Sequence, residues 1–73
     1  MTPLIYLLEA LDARVYVSII DPYADKFLTD RVPLYTVLAD KEFIEKYRAY
    51  DVREIRVAKA SDGKSTVYIE ITD

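Results

Sequence analysis

The chain has 73 residues, 13 acidic against 10 basic side chains for a net charge of −3, one glycine, and neither cysteine nor histidine. Such a length means one domain, residues 1–73, burying only about 60–65% of the surface that its unfolded chain exposes. Without cysteine or histidine, disulfide staples, zinc sites, thiol nucleophiles and imidazole bases are all excluded, so stability must come from dense packing or from burial against a second chain.

Thr2 and Pro3 predict a helix start, Thr as N-cap and Pro at the first helical position, where its missing N–H costs nothing. Leu4, Leu7, Leu8 and Leu11 then recur at helical spacing and form one apolar stripe, with Asp12 just past its end. Arg14 to Asp21 reads as a strand, Val15, Val17 and Ile19 on one face and Arg14, Tyr16, Ser18 and Ile20 on the other. Asp21-Pro22-Tyr23-Ala24-Asp25 is a turn capped by an Asx side chain, and Lys26 to Arg31 returns as a shorter, more polar strand that Pro33 stops. Over 33–39, Leu34, Val37 and Leu38 have helical spacing while the β-branched Thr36 and Val37 disfavour a helix; a short helix is expected, with a strand the alternative. Asp40 is the N-cap of another helix, on which Phe43, Tyr47 and Tyr50 stack along one side while Glu42 and Lys46 form an i, i+4 pair.

Val52 to Ala60 and Lys64 to Thr72 form the closing hairpin, and its register can be derived. A two-residue Asp62-Gly63 turn would set Val57 against Tyr68 and Ile55 against Glu70, mixing apolar with polar on one face. A three-residue loop, Ser61-Asp62-Gly63, sets Val57 against Val67, Ile55 against Ile69 and Arg53 against Ile71, and places Gly63 at the left-handed position that follows a type I turn. The three-residue loop is therefore expected. The whole predicts an α+β domain, a small antiparallel four-stranded sheet of two β-hairpins with helices packed on one face, in the chain order α-β-β-α-β-β. The first and last strands are the most apolar, so they should be central, giving the spatial order 2-1-4-3.

If Val15, Val17, Ile19, Ile55, Val57, Val67, Ile69 and Ile71 lie beneath the helices, the other face carries Arg14, Tyr16, Ser18, Ile20, Glu54, Arg56, Ala58, Thr66, Tyr68 and Glu70. Arg56 opposite Tyr68 permits a cation–π contact. Tyr and Arg are enriched at protein interfaces. Arg14, Tyr16, Arg56 and Tyr68, with Tyr23 in the first turn, are thus the candidate protein-contact residues. Tyr6, Tyr35 and Tyr47 are expected to pad the rim of the core.

Catalytic chemistry finds little support. Acid–base work would fall to carboxylates alone, Asp21 and Asp25 lack calcium-loop spacing, and one glycine cannot build a phosphate loop. No enzyme, cofactor or metal is expected. The acidic balance, with Glu54 and Glu70 on the tyrosine face, counts against direct nucleic-acid binding. No apolar run approaches the roughly 18–20 residues of a membrane span. The segment MTPLIYLLEALD has no basic stretch before its apolar part and reads as structure rather than a signal peptide.

The segments LLEALD, RVYVSIID, VREIRV and VYIEI together resemble those of very short proteins encoded by phages and mobile elements of Gram-positive bacteria; DPYAD departs from that pattern in lacking a turn glycine. The resemblance implies a small, non-enzymatic α+β protein in the cytoplasm of a bacterial host, acting as anti-CRISPR proteins do, by occluding a host defence or nucleic-acid-processing protein such as a CRISPR effector or nuclease. The alternative is a structural domain that forms a homodimer through the same face.

Gly63→Ala should destabilise the fold by about 1 kcal/mol or more, because a Cβ is penalised at a left-handed position; an unchanged denaturation midpoint would refute the three-residue loop.

Overall fold

The computed structural model describes residues 2–59 and 61–73. In chain order the elements are α1 (Leu4–Ala10), β1 (Tyr16–Asp21), β2 (Lys26–Pro33), α2 (Leu34–Ala39), α3 (Lys41–Tyr47), β3 (Asp51–Lys59) and β4 (Ser65–Thr72). Two helices therefore stand between the strand pairs, and the expected order α-β-β-α-β-β becomes α-β-β-α-α-β-β. The four strands form one sheet in the order β2-β1-β4-β3, with the two most apolar strands at its centre.

The sheet is mixed rather than purely antiparallel. β1 pairs antiparallel with β2, and β3 with β4, but β1 and β4 run parallel, with Val17 beside Val67 and Ile19 beside Ile69. The connection explains this. β2 ends at Pro33, beside Tyr16 at the start of β1, whereas β3 begins at Asp51, beside Thr72 at the far end of β4. α2 and α3 thus carry the chain along the length of the sheet, and β3 enters at the end opposite to the one β2 left. An antiparallel β1–β4 pair would need β3 to enter where β2 exits.

Both Pro-Leu steps start helices in the same way. Pro3 and Pro33 are the N-cap residues themselves, each at φ −59 and ψ 141, with no side-chain cap. Thr2 is therefore not the cap. The free N–H groups of the first turn are satisfied from elsewhere in the chain: Leu4 and Ile5 donate to the carbonyls of Tyr50 and Arg48, and Leu34 and Tyr35 to those of Val15 and Ala13, at 2.8–3.1 Å. Carbonyl acceptors from a neighbouring segment make a side-chain cap unnecessary. Asp40 does cap α3 through its own side chain, accepting from the Phe43 amide at 3.1 Å. Behind it Phe43, Tyr47 and Tyr50 stack with centroid separations of 4.8 and 5.0 Å. Lys46 turns its Nζ toward the Tyr47 ring, 5.3 Å from the centroid, rather than closing an ion pair with Glu42.

The core lies between the helices and the centre of the sheet. Leu4, Leu8, Leu34 and Val37 from the helices meet Val17, Ile19, Val67, Ile69 and Ile71, all buried, and Val15, Tyr47 and Tyr50 pack at its margin. Two expected members are missing. Ile55 and Val57 point to the helix side but remain 48% and 68% exposed, because α1 reaches only the start of β3. Nor do Tyr6 and Tyr35 pad the core; both are exposed.

The closing hairpin has the three-residue register. Val57 faces Val67 and Ile55 faces Ile69, and Gly63 has φ +85; the expected pairing of Ala60 lies outside the described residues. The register slips once, between Val52 and Glu54, so that Val52 rather than Arg53 faces Ile71. This bulge keeps Val52 on the core side and ejects a guanidinium that the core could not solvate. On the other edge, two irregularities interrupt the β1–β2 ladder, and Arg31 sits at φ 50. Ser18, fully buried, holds that bulge: its Oγ accepts from the Arg31 amide at 2.8 Å and donates to Asp30 Oδ1 at 3.0 Å.

Ser18→Ala should therefore cost about 1–3 kcal/mol by leaving the Arg31 amide without its acceptor. Arg31→Gly should instead gain about 0.5–1 kcal/mol by removing the left-handed penalty. Opposite shifts of the urea midpoint in the two variants check the assignment.

Candidate functional site

The face of the sheet turned away from the helices is a grid built by the strand registers. One row runs Phe27, Ile20, Glu70, Glu54; the next has Ser18, Tyr68 and Arg56; the third has Pro33, Tyr16, Thr66 and Ala58. Ser18 and Thr66 are buried within it, and Tyr16, Ile20, Tyr68 and Glu70 are half-buried. Ile20, Phe27, Arg56, Val57, Ala58 and Tyr68 line an open groove of about 430 Å³ on this side. Phe27, 51% exposed, forms one wall. Phe27 was legible in principle: with Asp21 and Lys26 closing the first hairpin, Ile20 must face Phe27.

The five residues expected to make contacts do not form one cluster. Tyr16, Arg56 and Tyr68 lie on the helix-free face. Arg56 does not stack on Tyr68; its Nη2 meets Glu70 Oε1 at 3.4 Å. Each strand residue on one face has diagonal as well as direct neighbours, and the diagonal carboxylate attracts the guanidinium more strongly than the ring does. Tyr23, 75% exposed in the first turn, packs against Arg53, whose guanidinium carbon is 5.7 Å from the ring centroid. At the opposite end, Lys64 Nζ sits 5.2 Å from the Tyr16 ring. Both contacts follow from the parallel β1–β4 pair, which brings the end of β1 to the start of β3 and the start of β1 to the start of β4.

Arg14 is not part of β1, which begins at Tyr16. It belongs to the turn between α1 and β1, where Asp12 holds it at three points: Oδ1 accepts from the Arg14 amide at 2.9 Å and from Nε at 3.2 Å, and Oδ2 accepts from Nη2 at 3.0 Å. These bonds from the Arg14 side chain and amide lower the Asp12 pKa from the usual 3.8 to about 2. Asp12, Arg14, Tyr16 and Lys64 all border one shallow hollow.

Asp21 spends its carboxylate on the first turn, Oδ1 accepting from the amides of Tyr23 at 3.0 Å and Ala24 at 3.3 Å. Asp25 takes φ 52 there, the conformation that a glycine would otherwise supply. Among the described residues no group of three or more acidic side chains converges as a metal site would require, and no helix is long and apolar enough to cross a membrane. What this face offers chemically is a shallow apolar groove rimmed by phenol, guanidinium and carboxylate groups.

The depressed Asp12 pKa links folding to pH. The ionised carboxylate is favoured in the folded chain, so its contribution is complete above the unfolded value near 3.8 and disappears as the pH falls through about 2. In a titration followed by NMR, the Asp12 carboxyl should titrate near 2 in the native chain and return toward 3.8 in Arg14→Ala.

No protein-family model, curated protein or solved structure matches the chain.

Proposed function

We propose that the chain is a non-enzymatic protein-binding module that docks through the helix-free face of its sheet. One observation carries this reading. The face is uncovered, yet it bears a groove walled by Phe27, Ile20 and Tyr68, with Arg56 at its rim. Aromatic and arginine side chains around an apolar centre are the composition of interface hot spots. A groove this open does not enclose a small molecule as ligand pockets do, but it suits a protruding side chain or loop of another protein. Tyr23 with Arg53, and Tyr16 with Lys64, flank the groove at the two ends of the sheet and extend the surface a partner would cover.

The mode of action that fits is stoichiometric occlusion. The resemblance to short phage proteins directs the choice of partner to a host defence or nucleic-acid-processing protein, a CRISPR effector or nuclease first. The charges support a protein partner over a nucleic acid, since Glu54 and Glu70 lie on the same face as the tyrosines and would repel phosphate.

The test is affinity capture from a bacterial lysate followed by titration of the captured protein with purified variants. Tyr68→Ala and Phe27→Ala should each weaken the complex by at least about tenfold, or about 1.4 kcal/mol. Tyr35→Ala, at an exposed position of α2 away from this face, should leave it unchanged. Equal binding by all three variants would reject the face as the contact surface.

A further inference from the structure

The two edges of the sheet are built differently. β2 is a defended edge, with two register irregularities, a left-handed residue at Arg31 and a terminal proline, all devices that discourage pairing with another strand. β3 has none of these beyond its bulge. From Glu54 to Lys59 it pairs with β4 without interruption, and both its helix-side aliphatics, Ile55 and Val57, are exposed. Among the described residues, only the start of its outer edge is occupied, where the Val52 amide donates to the Thr2 carbonyl at 2.8 Å and Pro3 bridges Asp51. The rest is a free row of backbone donors and acceptors beside an apolar stripe.

We propose that this edge pairs with the same edge of a second copy, antiparallel about a two-fold axis through Val57, joining the two sheets into one. The edge adjoins the groove, but the pairing uses the outer backbone row and the helix-side stripe of β3, so the proposal does not depend on that reading. The occupant follows from the strand's own charges and from what blocks its start. A two-fold axis normal to the sheet keeps the helices of both copies on one side, and residues opposite each other must share a face. Only centres on a residue satisfy this. Centring on Glu54 sets Glu54 against itself. Centring on Ile55 runs the partner's strand into Thr2 and Pro3. Centring on Arg56 sets Arg56 against Arg56 and Arg53 against Lys59. Centring on Val57 sets Val57 against Val57, Ile55 against Lys59 and Arg56 against Ala58, with no like charges opposed. Arg53 then lies opposite the partner's turn at Ser61, where no cation opposes it. The methylene stem of Lys59 covers Ile55 while its ammonium stays in water. Because Arg56, Val57 and Ala58 also border the groove, the two grooves would lie on either side of the axis and present a paired surface.

The experiment is light scattering after size-exclusion chromatography, with sedimentation equilibrium over roughly micromolar to millimolar concentrations. The wild-type chain should reach twice its monomer mass. Val57→Lys sets two ammonium groups against each other at the axis and should raise the dissociation constant by at least about tenfold. Val57 is exposed, so circular dichroism and the urea midpoint should confirm that the variant still folds. The chain has no native cysteine, which makes register measurable. Under mild oxidation Val57→Cys should cross-link into a covalent dimer faster than Ile55→Cys does. A wild-type chain that stays monomeric throughout would overturn the proposal and leave the edge to a strand of a different protein. A dimer indifferent to Val57→Lys, or faster cross-linking at position 55, would overturn it equally.

Discussion

The parallel ladder between β1 and β4 is the constraint on which the rest of the molecule depends. Val17 with Val67 and Ile19 with Ile69 form the buried centre of the sheet, and the helices have no other apolar floor to pack on. A parallel pair cannot be closed by a tight turn and needs a long crossover. Here the chain between β1 and β4 also supplies β2, both later helices and β3, so the ladder is the most non-local strand pairing of the sheet. It closes only after nearly the whole chain has been placed, and loop-closure entropy opposes it until then.

Several local features secure that ladder. The first-turn amides of α1 bond to the carbonyls of Arg48 and Tyr50, and those of α2 to Ala13 and Val15, so each Pro-Leu helix is tied to a segment distant in the chain. Leu4 and Leu34, the first residue of each helix, are fully buried. Pro3 and Pro33 preset the backbone for the first turn, and the borrowed carbonyls fix where each helix sits. At the periphery, Ser18 binds the bulge of β2 to β1, and the bulge at Arg53 keeps Val52 in the core. These devices consume the polar groups that a small core could not leave unpaired.

The same arrangement sorts the surface. One face is covered by helices, one is open, and the two edges are unlike. The open face carries Tyr16, Tyr68, Phe27 and Arg56 around two small, buried central positions, Ser18 and Thr66. Tyr16 and Tyr68, next to them in the register, therefore lie low and half-buried, and Phe27 stands higher at the margin. A surface with a recessed centre and an aromatic rim follows from the sizes of neighbouring side chains in two strand registers. The exposed stripe on β3 has a different origin: α1 is too short to reach it.

Local patterns in the sequence determined the hairpin register, through Gly63 and the matching of Val57 to Val67; the Asp40 cap; the Phe43–Tyr47–Tyr50 stack; and the division of the β1 and β4 residues between two faces. Each depends on residues near one another in the chain or on a period of two, so a single sequence carries them. The neighbourhood of β1 and β4 could also be inferred from their shared apolarity, but not their relative direction, which was decided by how far α2 and α3 travel over the sheet. That direction in turn set which charges meet which rings: Tyr23 with Arg53, Tyr16 with Lys64, and Arg56 with Glu70 in place of Tyr68. Strand propensity likewise marked Ile55 and Val57 as core residues, and only the tertiary structure left them exposed, because burial depends on whether a helix lies above a strand and not on the strand's own sequence.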